Sequence, residues 1–187
     1  MKVLVVFDHI RRDSFTGAVM DQFIRGLEEA GHTAEIADLR KEGFDPQFRL
    51  EEEPTWGEFD LVYPDDVQAE QARIERNDAL AFIFPVYWWS FPATTKGWIE
   101  RVWNYGWAFG NRKLTNQKAL LIAVNGGTEP QYTKRGYDGA MRTQLVTGIV
   151  QYCGIEDASI DFYYGATVSD EDRAGLLERA YQSGLAF

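Results

Sequence analysis

The stretch ALAFIFPVYWWSFPATTKGWIERVW, residues 79–103, sets an apolar run, a proline-bounded aromatic turn and a helical pattern in that order. Residues 79–84 carry no polar side chain, as a strand covered on both faces requires. Pro85 and Pro92 bracket a stretch that cannot continue a sheet ladder. Beyond it Ile99, Val102 and Trp103 share one helical face, with Thr94 or Thr95 available as N-cap. The whole stretch reads as strand, turn, helix.

The same alternation extends in both directions. Residues 2–7, KVLVVF, form a second apolar run, and from Ser14 to Ala30 Phe15, Val19, Phe23 and Leu27 recur four apart until Gly31 ends the helix. Residues 33–39 alternate as a strand, 65–78 give a polar helix with a thin apolar edge, and 118–124 and 158–164 add two more strands. Helices are expected over 138–152 and 169–183, the last capped by Ser169 with Asp172 in its first turn. Five strands alternating with five helices predict one α/β domain over residues 1–187, a doubly wound parallel sheet with helices on both faces. Only residues 40–64 resist assignment. Too long for a plain connection, they read as a functional loop or a wrapping arm.

Composition narrows the function. With 187 residues, 45% hydrophobic and 26% charged, the chain suits one globular core. A net charge of -10 without a block of Lys or Arg argues against nucleic acid. No apolar stretch is long enough for membrane insertion, and the amino terminus lacks a signal-peptide pattern. The single Cys153 has no disulfide partner and reads as a small buried residue, so the cytoplasm is expected. His9, His32 and Cys153 have no metal-ligand spacing. The acidic run 51–53 reads as solvated surface.

In a doubly wound sheet, ligands sit beyond the carboxyl ends of the strands, where strand order reverses. Three unusual segments follow strands one, three and four. The first, FDHIRRDSFTGA, ends in a helix amino terminus with Ser14 and Thr16, suited to a phosphate, although Ser14 would cap the helix in any case. The second carries Tyr87, Trp88 and Trp89, rings on which a flat heteroaromatic ligand can stack, whereas Trp98 and Trp103 fall at core helical positions. The third holds Gly126 and Gly127, where backbone can approach a ligand closely. Neither a G-x-G-x-x-G fingerprint nor a P-loop is present. Phosphate donors, aromatic platform and amide-lined loop are the three parts of a flavin mononucleotide site.

FPVYWWSFPATTKGWIERVW followed by GWAFG resembles the signature of the flavodoxin-like NAD(P)H:quinone oxidoreductases. That group includes DT-diaphorase, the ancillary oxidoreductases of bacterial potassium-efflux systems, and related azo- and nitro-reducing flavoproteins. The similarity runs from VFDHIRRDSF through DLRKEGFDP to NGGTEPQY. It implies a flavodoxin-like fold in which His9, Ser14, Phe15 and Thr16 hold the flavin phosphate or pyrophosphate. Pro85, Val86, Tyr87, Trp88 and Trp89 would line the isoalloxazine and ribityl chain, with Asn125, Gly126, Gly127 and Tyr132 at its polar edge. It also implies a homodimer with the site at the interface. Trp88 and Trp89 would then bind substrate together with Trp107 and Phe109, the latter two reaching toward a partner's flavin.

The implied chemistry is two-electron hydride transfer from NAD(P)H to flavin N5 and on to a quinone or similar acceptor, by ping-pong kinetics. Tyr132 and Asp138 stand where the family places a catalytic tyrosine and histidine. The carboxylate of Asp138 is ill suited beside a flavin anion and reads as a helix cap, with Lys134 or Arg135 supplying positive charge instead. The resemblance leaves FAD and FMN both open, with the balance toward FAD. Alternative readings are a flavin-binding regulatory subunit of a potassium-efflux transporter, and an azo- or nitro-reductase.

Overall fold

A computed structural model describes all of residues 1–187. Strands β1 (Lys2–Phe7), β2 (Thr33–Asp38), β3 (Ala79–Pro85), β4 (Lys118–Val124) and β5 (Asp157–Tyr163) form one parallel sheet in the order β2-β1-β3-β4-β5. The chain runs outward from β1 to β2, then returns to the other side of β1 with β3, so strand order reverses between β1 and β3. Alternation along the strands splits the core in two. Leu4, Val6, Leu80, Phe82 and Phe84 face one layer, and Val3, Val5, Phe7, Ala81 and Ile83 the other.

The second layer is closed by α1 (Phe15–Glu29) and α6 (Asp170–Leu185), which pack on each other. The first is closed by α2 (Asp65–Glu75), α3 (Ala93–Val102) and the helix of residues 137–151. Trp98 and Trp103 of this layer are buried edge-on against Phe82, as their helical spacing predicts. Cys153 is buried too, and burial pushes its thiol up to about 11.

Three expectations need correction. First, α3 is not capped by threonine: Pro92 occupies its N-cap position, and Thr95 lies buried in the first turn. Second, the helix expected over 138–152 begins as α5 (Tyr137–Met141) with Gly136 at its N-cap, and continues over Arg142–Gln151 with wide π-type turns. Asp138 is therefore a first-turn residue, one that favours the helix dipole without being the cap. A short helix, α4 (Glu129–Thr133), precedes it.

Third, the acidic run 51–53 is not all solvated. Arg101 and Glu52 are both 0% exposed and paired, with Arg101 Nε 2.9 Å from Glu52 Oε1. The guanidinium also donates to Asp66 Oδ2 at 2.8 Å and to the Asp45 carbonyl at 2.7 Å. This clamp makes residues 40–64 an arm laid over α3. At Gly97 the arm comes so close that a Cβ would stand 2.3 Å from the Pro46 carbonyl oxygen.

Candidate functional site at the carboxyl edge of the sheet

The turn after β3 is held by a pair of backbone hydrogen bonds between Tyr87 and Ser90, 3.3 and 3.1 Å. Its two central residues are Trp88 and Trp89, with φ of 50° and 55°. Positive φ at both central positions is a type I′ geometry, normally given to Asn and Gly. Two indoles there cost about 1–2 kcal/mol each in backbone strain. Trp89 packs on Tyr137, but Trp88 stays 87% exposed, so packing within the chain does little to offset its share of that cost. An indole presents roughly 200 Å². A flat ligand covering half of it contributes about 2–3 kcal/mol, which matches the strain.

The turn also leaves donors open. Val86 N–H is bonded to the Val124 carbonyl at 2.8 Å, but Trp88 and Trp89 N–H find no acceptor. Across the edge, after β4, the carbonyls of Asn125, Gly126 and Gly127 are all taken by residues 165–167, and the hydroxyl of Thr167 binds Gly126 at 3.1 Å. The N–H groups of Gly126 and Gly127 are free. Carbonyls turned inward and amides turned outward make an anion-facing edge. Asn125 is buried, yet neither atom of its carboxamide has a partner. Buried amides without a partner are rare in folded proteins.

At the third segment, Ser14 is the N-cap of α1, accepting from Gly17 N–H at 3.1 Å. Phe15 and Thr16 N–H in that turn are unpaired, so the helix terminus still offers donors. His9 Nδ1 accepts from the Arg11 N–H at 3.0 Å and shapes the loop. Arg12 is paired with Asp21. Arg173 of α6, which also pairs with Asp170 at 3.5 Å, lies 5.1 Å from the Phe15 ring centroid. Nothing in the sequence singled it out.

Aromatic contacts run from the turn into α4 and α5. Trp89 lies 4.1 Å from Tyr137, Tyr137 6.0 Å from Tyr132, and Tyr132 5.3 Å from Tyr164. Burial raises the Tyr132 phenol, and its hydroxyl has no protein partner. Tyr164 is pushed up to about 12 by burial, with the charges of Asp138 and Glu129 adding to it. Asp138 itself accepts from the Gly139 N–H at 2.9 Å. Lys134 and Arg135 are exposed beside it.

Trp107 and Phe109 are elsewhere. They follow α3, which runs back against the strands, and so lie at the amino edge of the sheet. Trp107 donates to Glu75 at 3.0 Å, and Phe109 packs on Tyr105 and Tyr152. Within one chain they do not meet the other candidate residues. Sequence reasoning also missed Asp8, Thr167 and α4. The last had a usable signal, since Thr128 and Gln131 make a capping-box spacing with Pro130 between them, and Gln131 accepts from Thr128 N–H at 2.9 Å.

A doubly wound parallel sheet with open amides, exposed indoles and a helix terminus at its switch point defines a nucleotide-binding class of α/β protein. Comparison makes the class specific. A model of the flavodoxin-like fold family matches residues 1–184, and the chain belongs to that family. It is 33% identical to the uncharacterized NAD(P)H oxidoreductase YcaK of Escherichia coli, over 99% of this chain and 93% of that protein. It is 30% identical to the rat ribosyldihydronicotinamide dehydrogenase [quinone], over 94% of this chain and 87% of that one. Among solved structures, an NAD(P)H:quinone oxidoreductase from Methanothermobacter marburgensis superposes with a TM-score of 0.94 at 34% identity, covering 99% and 94% of the two chains.

Proposed function

We propose that this protein is a flavin-dependent NAD(P)H:quinone oxidoreductase that moves two electrons per turnover. The observation that carries the reading is the partnerless, buried carboxamide of Asn125 beside the free amides of Gly126 and Gly127, at the same sheet edge as the strained Trp88–Trp89 turn. A polar set left open around an aromatic platform suits the isoalloxazine ring, which has an apolar face and a polar rim. The names of the relatives support NAD(P)H as donor and a quinone as acceptor.

In this reading Phe15 and Thr16 amides, with His9 and Ser14 shaping the loop and Arg173 adding charge, hold the phosphate end. Pro85, Val86, Tyr87, Trp88 and Trp89 support the ring and ribityl chain, and Asn125, Gly126, Gly127 and Tyr132 meet its polar edge. Bound flavin supplies the hydride acceptance and return. The chain's own residues orient it, keep water from one face and place donors where negative charge builds on reduction. Tyr132, its phenol held protonated by burial, is such a donor. Asp138, occupied with Gly139, plays no part in proton transfer here, and Lys134 and Arg135 supply the positive field.

The amino-edge residues fit a homodimer. Trp107 and Phe109 adjoin exposed Trp56 and Val62 and a cavity of about 290 Å³ lined by Phe59, Leu61 and Tyr105. In a second copy they would face the partner's carboxyl edge. The test is to reconstitute the chain, release the flavin and identify it against FMN and FAD, then follow NAD(P)H oxidation with a quinone. Tight flavin binding and quinone-dependent turnover are expected; a chain that takes up neither flavin overturns the reading. Sedimentation at micromolar concentration should give a dimer, and a monomer there contradicts the shared site.

A further inference from the structure

We infer that the Asp8–Arg40 ion pair is a positioning device for this site, fixing the phosphate loop and the indole turn at their working separation. The inference rests on the flavin reading. Asp8 directly follows β1 and directly precedes His9. Its carboxylate is 1% exposed and gathers three donors from two distant elements. Thr95 gives its N–H and its hydroxyl to Oδ2, each at 2.9 Å, and Arg40 gives Nε to Oδ1 at 2.9 Å.

Thr95 stands three residues after Pro92, which closes the indole turn, and Arg40 stands two residues beyond β2. Helix α3 has no side-chain cap of its own, so Asp8 satisfies its first turn from 87 residues away. One carboxylate therefore ties the start of the phosphate loop to the end of the platform. Its charge is a hazard at an edge built for an anion. Arg40 neutralises it, and the guanidinium is the only cation bonded to Asp8.

Two roles, mechanical and electrostatic, predict a coupled pattern in flavin titrations of the full-length chain with FMN and FAD. Arg40→Gln leaves a buried carboxylate unpaired beside the phosphate end. Asp8→Asn sets an amide against the guanidinium. Each single variant should bind flavin about tenfold more weakly or worse, a step of about 1.4 kcal/mol or more. Asp8→Asn with Arg40→Gln removes charge and clash together and should return to within about threefold of wild type. Thr95→Ser keeps both donors and should bind as wild type does.

The visible circular dichroism of flavin at saturation separates positioning from mere stability: it should change in the single variants and return in the double. Single variants with wild-type affinity and unchanged dichroism overturn the inference, as does a double variant no better than either single. Should a single variant not fold, Thr95→Val removes only the hydroxyl donor; it should weaken binding about threefold, and unchanged affinity counts against the pair. A wild-type chain that binds no flavin defeats the flavin reading and this one together, whereas wild-type binding with indifferent variants defeats this one alone.

Discussion

The clamp under the arm and the carboxyl edge of the sheet are both polar clusters, and they treat their donors in opposite ways. At the clamp, Arg101 is fully buried, and Glu52, Asp66 and the Asp45 carbonyl accept from its guanidinium. At the edge, six backbone amides and a whole carboxamide are left open, next to an indole that solvent surrounds. A fully met polar cluster holds a fold together. An unmet one is uncommon and calls for an explanation. On the flavin reading proposed above, the first serves stability and the second serves binding.

Breaking the clamp should have the largest effect. Arg101→Ala leaves Glu52 buried without its counter-ion, with only the Arg49 N–H still donating to it, and should cost about 3–5 kcal/mol, read from urea unfolding. Flavin affinity of the remaining folded protein should hardly move. A loss under about 1 kcal/mol would show that water reaches the Glu52 carboxylate.

Trp88→Ala should do the reverse. Stability should stay within about 0.5 kcal/mol, because the ring is exposed, while flavin affinity falls about tenfold or more. Trp88→Gly sharpens the point, since it also removes the strain at φ 50°. The flavin-free protein should gain about 1 kcal/mol as flavin binding is lost. Wild-type flavin affinity in both variants would remove the turn from the site.

Gly127→Val acts on the other wall. A Cβ there would stand 3.0 Å from Tyr132 Cε2, so the amide edge and the tyrosine must part. Flavin affinity should fall about tenfold, with a smaller loss of stability; full occupancy in this variant would contradict the amide-edge assignment.

A smaller effect concerns pH. The Tyr164 phenol is pushed up to about 12 in the folded chain, above the ordinary value near 10. Between those values the folded state holds a proton that the unfolded state has lost, so stability is intact below about pH 10 and declines toward pH 12. Tyr164→Phe should flatten that limb in urea midpoints measured across the window, and an identical decline in the variant would assign it to another phenol.

Much of this architecture was legible because it rests on local pattern. The apolar runs at 2–7, 79–84 and 118–124 and the four-residue recurrence from Phe15 to Leu27 mark strands and helix within a residue or two of their bounds. The division of the tryptophans was legible for the same reason, helical spacing for Trp98 and Trp103 and a proline-bounded turn for Trp88 and Trp89. What escaped depends on distance along the chain. Glu52 looked solvated because Arg101 lies 49 residues away, and Asp8 drew no notice because its partners are 32 and 87 residues away. The strain at the turn escaped for a different reason: positive φ is written in Asn and Gly, and two tryptophans there conceal it.

The most direct test is a titration of the flavin-free chain with FMN and with FAD, followed by tryptophan fluorescence. With Trp88 and Trp89 as the platform, one of the two flavins should quench the emission saturably at one equivalent per chain, and Trp88→Ala should abolish most of that change. Emission that neither flavin alters, with no flavin retained after gel filtration, would contradict the assignment of the carboxyl edge as a flavin site.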